Sequence, residues 1–202
     1  MSRQPTEQSF LKDVAAHQMT VVSENGVHRH VRFKRPGTYC MQFDLITWPG
    51  YLAYSGDMGC FVFARLADMF EFFRSDRKGS ELQINTGYWS EKLEAVNKHC
   101  GYREFSADLF RESIGRWLDD AEASAELRAE VEDDVLYHAD DGQDAAYRAA
   151  LDFKGKDGYR FTDFWEVNCA EYTYHFVWCC YALAWGIRQY DAACSAPQRE
   201  AK

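Results

Sequence analysis

Four turn signals, Asn25-Gly26, Pro36-Gly37, Pro49-Gly50 and Ser55-Gly56-Asp57-Met58-Gly59, interrupt the first third of the chain at short intervals. Between them lie runs too short for helices. Met19 to Glu24 and Val27 to Lys34 flank Asn25-Gly26, the strongest short-range hairpin signal, whose type I′ turn demands positive φ at both central residues. Tyr39, Met41, Phe43 and Leu45 alternate with Cys40, Gln42 and Asp44, which predicts a third strand. Tyr51 to Tyr54 and Cys60 to Phe63 follow. Tight turns join only antiparallel neighbours, so the N-terminal part is expected to be an antiparallel sheet of four to five strands.

The period then changes to that of a helix. Thr6 to His17 already reads as a short helix capped by Thr6, and Ala67 to Arg74 directs Met69, Phe70 and Phe73 at the sheet. Trp89–Lys98, Ser106–Ala121, Ser124–His138, Gln143–Phe153 and Ala170–Tyr190 complete the expected helices. Strands first and helices after them give an α+β class, with a C-terminal helical half of four to six helices packed on the sheet. A chain of 202 residues is read as a single domain, 1–202, subdivided into a sheet-rich 1–75 and a helical 80–202, with the seam at 76–80. No internal repeat or low-complexity run is present.

Charge is distributed unevenly. The chain carries 32 acids against 23 Lys and Arg, a net −9. Residues 119–144 hold eleven of those acids, Asp119, Asp120, Glu122, Glu126, Glu130, Glu132, Asp133, Asp134, Asp140, Asp141 and Asp144, with Arg128 their only Lys or Arg. That segment is −10, and the remainder is +1. A solvated helix face accounts for clustered acids through solubility alone. Against this, Glu126–Glu130 and Glu130–Asp134 are like charges one helical turn apart, where alternating signs would stabilise the helix. Such a stretch suits a docking face for a basic partner, or an imitation of nucleic-acid phosphate. As a whole the acidic chain is disfavoured as a direct binder of nucleic acid.

The seven cysteines are an odd number with no CxxC pair, and most have apolar neighbours, as in Phe176-Val-Trp-Cys-Cys-Tyr181. They read as reduced, buried hydrophobes of a cytoplasmic protein rather than a disulfide framework. Residues 1–18 carry no signal-peptide pattern. The one candidate membrane segment, Phe176–Ile187, has twelve residues without a charge, well short of the roughly 20 that span a bilayer, so no membrane association is expected.

No P-loop, GxGxxG, GxSxG or HExxH occurs. His28, His30, Arg32 and Lys34 share one face of the second strand, opposite Val27, Val31 and Phe33. Two histidines at i, i+2 on a strand form half of a metal site, for which Asp44 or Asp57 would supply a carboxylate, but no third ligand follows at diagnostic spacing. His99-Cys100 are sequence neighbours, and Cys169 and His175 fall on different faces of one expected helix, so no Cys–His nucleophile is expected. We therefore expect no catalytic residues, metal or cofactor. Trp178, Tyr181 and Trp185 form a core stripe, whereas Trp48, Tyr51 and Tyr54 surround a turn and are the aromatic candidates for partner contact.

The run Thr47-Trp-Pro-Gly-Tyr-Leu-Ala-Tyr-Ser-Gly-Asp-Met-Gly59, with Phe61-Val-Phe63, Asp68-Met-Phe-Glu-Phe-Phe-Arg74 and Gly87-Tyr-Trp-Ser-Glu-Lys-Leu93, resembles small phage- and prophage-encoded accessory proteins. The resemblance covers the first half of the chain and brings no catalytic residues. It implies a setting in the bacterial host cytoplasm and an inhibitor of host defence, similar to anti-CRISPR proteins, that occupies a nucleic-acid groove. The expected activity is thus non-enzymatic: inhibition or adaptation of a host defence protein with a basic, nucleic-acid-binding surface. The alternatives are a metal-dependent enzyme acting on nucleotide or nucleic acid through the His28/His30 strand, and a phage structural or assembly protein.

Overall fold

A two-residue reversal sets the register of the first hairpin. β1 (Gln18–Asn25) pairs with β2 (His28–Lys34) so that Asn25 faces His28, which leaves Gly26 and Val27 as the loop. Gly26 has φ +60 and Asn25 does not share it, as in a turn of type II′ with glycine first rather than the expected type I′. Gly26→Ala is expected to cost about 1–2 kcal/mol, because an L side chain is strained at this φ. A urea titration that shows less than a few tenths would refute the assignment.

The computed structural model describes residues 4–76, 78–98 and 101–195; Arg77 of the expected seam, and His99 and Cys100, lie outside the described residues. Four more strands follow the hairpin: β3 (Phe43–Trp48), β4 (Tyr51–Gly56), β5 (Gly59–Ala64) and β6 (Leu93–Val96). The six form one antiparallel meander in chain order, one strand more than expected at most. Two strand assignments are corrected. The third strand begins at Phe43, because Tyr39–Gln42 instead form a turn in which Met41 has φ 54 and donates its N–H to the Asp57 carboxylate at 2.8 Å. Leu93–Val96, expected within a helix, pairs with β5: the open ladder of β5 outweighs the helix preference of Lys92, Glu94 and Ala95. The helix there is only α3 (Thr86–Ser90).

The chain divides into two compact units, residues 1–102 with 172–202 and residues 103–171. In the first, one sheet face is wholly apolar: Val31, Phe33, Phe43, Leu45, Leu52, Tyr54, Phe61 and Phe63 are all at 0% exposure. Three helices pack with it in one core, α1 (Glu7–Asp13), α2 (Met69–Arg74) and α7 (Tyr174–Ser195). Thr6 caps α1 in a reciprocal pair with Ser9, and Phe10 of α1 meets Trp178 of α7 edge to face at 5.0 Å. α7 approaches closely at Gly186, where a Cβ would lie 3.0 Å from Leu45 and 3.1 Å from Phe33. Residues 170–172, expected to open this helix, are a short strand.

The second unit has its own core of Phe110, Ile114, Leu118, Leu127, Val131, Val135, Ala146, Ala150, Phe161 and Phe164. α4 (Ala107–Asp120), α5 (Ala125–Asp134) and α6 (Gln143–Asp152) supply most of it, and a 3₁₀ turn at Leu136–Asp141 replaces the end of the expected Ser124–His138 helix. Ser106 and Ser124 cap α4 and α5 by accepting the N–H groups of Leu109 and Leu127. β7 (Arg103–Phe105) and β8 (Ala170–Tyr172) pair as a two-stranded sheet. Seven α-helices are present among the described residues, and none of their helices is long and apolar enough to cross a membrane. The six described cysteines are unbridged.

Candidate functional site

The two units differ sharply in charge. Residues 103–171 carry 19 acids against 8 Lys and Arg, a net −11; the other unit carries 13 against 15, a net +2. The acidic run 119–144 falls wholly within the smaller, helical unit.

Its eleven acids are placed by three helices. Asp119 and Asp120 end α4, Glu122 sits in the link at φ 48, and Glu126, Glu130, Glu132, Asp133 and Asp134 belong to α5. Asp140 and Asp141 close the 3₁₀ turn, and Asp144 lies in the first turn of α6. Leu127 and Val131 turn α5 inward, and this throws its acids to solvent. All eleven are exposed except Glu130, which is half-buried.

Four of them lie in ion pairs. Asp119 accepts from Arg128 at 2.7 Å, Asp140 from Arg111 at 2.5 Å, and Asp141 lies 2.9 Å from His138 Nδ1. Glu130 accepts the backbone N–H of Lys156 at 3.0 Å, which holds its carboxyl below the usual range, and also meets Lys156 Nζ at 3.2 Å. Glu126 is likewise lowered, by its own N–H and the Ser124 hydroxyl, so local donors stabilise both anions and offset the Glu126–Glu130 repulsion expected from sequence. Among the described residues Asp120, Glu122, Glu126, Glu132, Asp133, Asp134 and Asp144 make no ion pair. Beside them a cleft of about 460 Å³ is lined by Asp134, His138, Arg148, Asp152, Phe153 and Lys154.

The three aromatic candidates separate. Trp48 and Tyr51 flank the Pro49-Gly50 turn, stack at 5.3 Å and 14°, and are 36% and 40% exposed. Tyr54 is not a surface residue: it is fully buried between Phe43 and Phe61, and burial pushes its phenol well above the ordinary value. Alternation is the reason, since positions 51 and 53 of β4 face outward and 52 and 54 inward. All three belong to the near-neutral unit rather than to the acidic one.

The basic strand is partly neutralised within the sheet. Asp44 of β3 accepts from Arg32 Nε and Nη2, both at 2.8 Å, and lies 2.8 Å from His30 Nε2. Burial alone would raise the Asp44 pKa; these partners outweigh it and hold the carboxyl below the usual range. Asp57 is engaged by the Met41 N–H. Among the described residues no three His, Cys, Asp or Glu side chains are placed to share a metal ion. Cys169 is buried at 1% exposure with its thiol 3.9 Å from Ser113 Oγ.

No family model matches the chain, and searches of curated proteins and of solved structures likewise return no match. The sequence places His28, His30, Arg32 and Lys34 on the solvent face of the sheet. What sequence reasoning missed there is the outward set Ile46, Ala53 and Val62, three small or medium apolar residues that are half-buried and belong to neither apolar core.

Proposed function

We propose that this chain is a non-enzymatic inhibitor or adaptor that docks a basic, nucleic-acid-handling protein on the acidic surface of residues 103–171. The observation that carries the reading is the charge division, −11 on one compact unit and +2 on the other. Exposed carboxylates outside any ion pair present a field rather than a set of internal pairs. That field steers a basic surface into contact and weakens as salt screens it. Spaced along α4, α5 and α6, the acids offer a partner the same sign of charge as a phosphate backbone. The resemblance of the first half of the chain to phage accessory proteins directs the search for the partner to host defence proteins of the bacterial cytoplasm.

Glu130 anchors the Lys156 loop, so the decisive variant spares it. Asp120, Glu132, Asp133 and Asp134 are changed together to Lys. Basic bacterial proteins retained from lysate by the tagged wild type at about 50 mM salt are expected to fall at least tenfold with this variant. Helical circular dichroism is expected to be unchanged. Undiminished capture by the folded variant would overturn the reading.

A further inference from the structure

One face of the six-stranded sheet is covered by the core, and the other carries a patterned surface. The pairing register lays out three rows across it. One row runs Thr20, Arg32, Asp44, Ser55, Cys60; the next runs Ser23, His30, Ile46, Ala53, Val62, Ala95; the third contains Trp48, Tyr51 and Ala64. Ser55, Cys60, Trp48 and Tyr51 are exposed, and Ile46, Ala53 and Val62 are half-buried. β2 adds cations along one side: Arg32, its side chain 44% exposed, then Lys34, whose ammonium lies 3.6 Å over the Tyr39 ring, with exposed Arg35 beyond; the exposed His28 imidazole, a further N–H donor, stands at the other end. The only carboxylate in these rows is Asp44, already held by Arg32 and His30.

We propose that this open face binds a short single strand of nucleic acid. Bases stack on the outward ring of the Trp48–Tyr51 pair, the low floor of Ile46, Ala53 and Val62 lets the strand lie close, and phosphates run along Arg32, Lys34, Arg35 and His28. Exposed aromatics beside a cationic track are what sequence-tolerant single-strand binding requires. A rigid duplex keeps its bases stacked on each other and cannot use the aromatic pair. Charge decides against a second copy of this chain, since two such faces bring their cation rows together, and the three aliphatic residues offer little of the roughly 800 Å² per partner that a stable interface buries. The proposal is independent of the acidic surface and lies in the other unit.

The test uses the full chain and a fluorescein-labelled twelve-residue oligothymidylate, read by anisotropy at about 50 mM salt. Saturable binding is expected, at least tenfold tighter than to a twelve-base-pair duplex. The double variant Trp48→Ala/Tyr51→Ala is expected to weaken it at least tenfold, and Trp48→Phe/Tyr51→Phe to stay within about threefold of wild type, so loss of the rings is separated from loss of fold. Lys34→Glu/Arg35→Glu is expected to lower the slope of log K against log salt by about 1.4, from about 0.7 per phosphate contact. No binding at 100 μM protein, equal affinity for the duplex, or full affinity in the double alanine variant would each overturn the proposal. So would sedimentation showing that the alanine variant abolishes a dimer, which would assign the face to a second copy. None of these results bears on capture of basic proteins by the acidic unit.

Discussion

Phe43→Ala is expected to lower the stability of the sheet unit by about 3–5 kcal/mol, the range for a fully buried aromatic removed from a close-packed core. Phe43 is at 0% exposure and sits where the sheet meets α7. Its ring stacks on Phe33 at 4.8 Å and on Tyr54 at 5.5 Å, and meets Trp178 and Trp185 edge to face at 5.9 and 6.3 Å. Four aromatic partners lose contact at once, and rigid neighbours on two sides cannot collapse into the space. The backbone beneath is equally constrained, since a Cβ on Gly56 would fall 2.2 Å from the Gln42 carbonyl oxygen and 2.8 Å from Phe43 Cα. Native-state hydrogen exchange of the β3 and β4 amides reads the loss directly. The contrast is Trp48→Ala, larger in volume but partly exposed, for which less than about 1 kcal/mol is expected. Equal losses at the two positions would place the core elsewhere.

Much of this sheet is legible in the residues. The glycine-containing turns pin the strand ends, and the alternation of Leu45, Leu52, Tyr54, Phe61 and Phe63 with polar or small neighbours marks the covered face. What was not legible lay where tertiary context overrides local preference. Leu93-Glu-Ala-Val96 has helix-forming residues and becomes a strand only because β5 offers it a ladder. Tyr54 sits three residues from Tyr51, and treating both as turn aromatics overlooks the period of two that sends them to opposite faces. The acidic run was countable from the sequence, but its meaning depended on chain topology. The last helix returns to the sheet unit, which removes its residues from the helical half and leaves residues 103–171 at −11 against +2 for the rest.

A further consequence of that topology is an ionic cluster that no local pattern announces. Arg29 occupies the inward parity of β2, among Val27, Val31 and Phe33, where an arginine requires a partner. Asp68 supplies it through a bidentate pair, both bonds 2.9 Å, with side chains only 11% and 16% exposed. The guanidinium also lies 4.9 Å over Phe70, and the same Asp68 caps α2 by accepting the Phe70 N–H at 2.9 Å. Nearby, Arg74 of α2 grips Asp191 of α7 through two hydrogen bonds of 3.1 and 2.6 Å.

Asp68→Ala is therefore expected to cost about 3–4 kcal/mol, and Asp68→Asn about 1 kcal/mol less. Both strand the Arg29 charge, at the low end of the range for buried pairs because some water reaches it. Asparagine keeps the helix cap, which is worth about 1 kcal/mol. The pH dependence has a definite sign. Burial alone would raise the Asp68 pKa, but the Arg29 bonds, the Phe70 N–H and the charges of Arg29 and Arg74 together hold it below the ordinary carboxyl value. A depressed folded-state pKa gives stability that is complete well above the unfolded value, near pH 4, and is lost as pH falls through the folded value. Wild type is thus expected to lose stability on acidification below about pH 4 more steeply than Asp68→Asn, so that the gap between them in urea midpoint narrows toward pH 2. A gap that stays constant from pH 7 to pH 2 would show that Asp68 acts through its cap and packing, and that its charge contributes nothing.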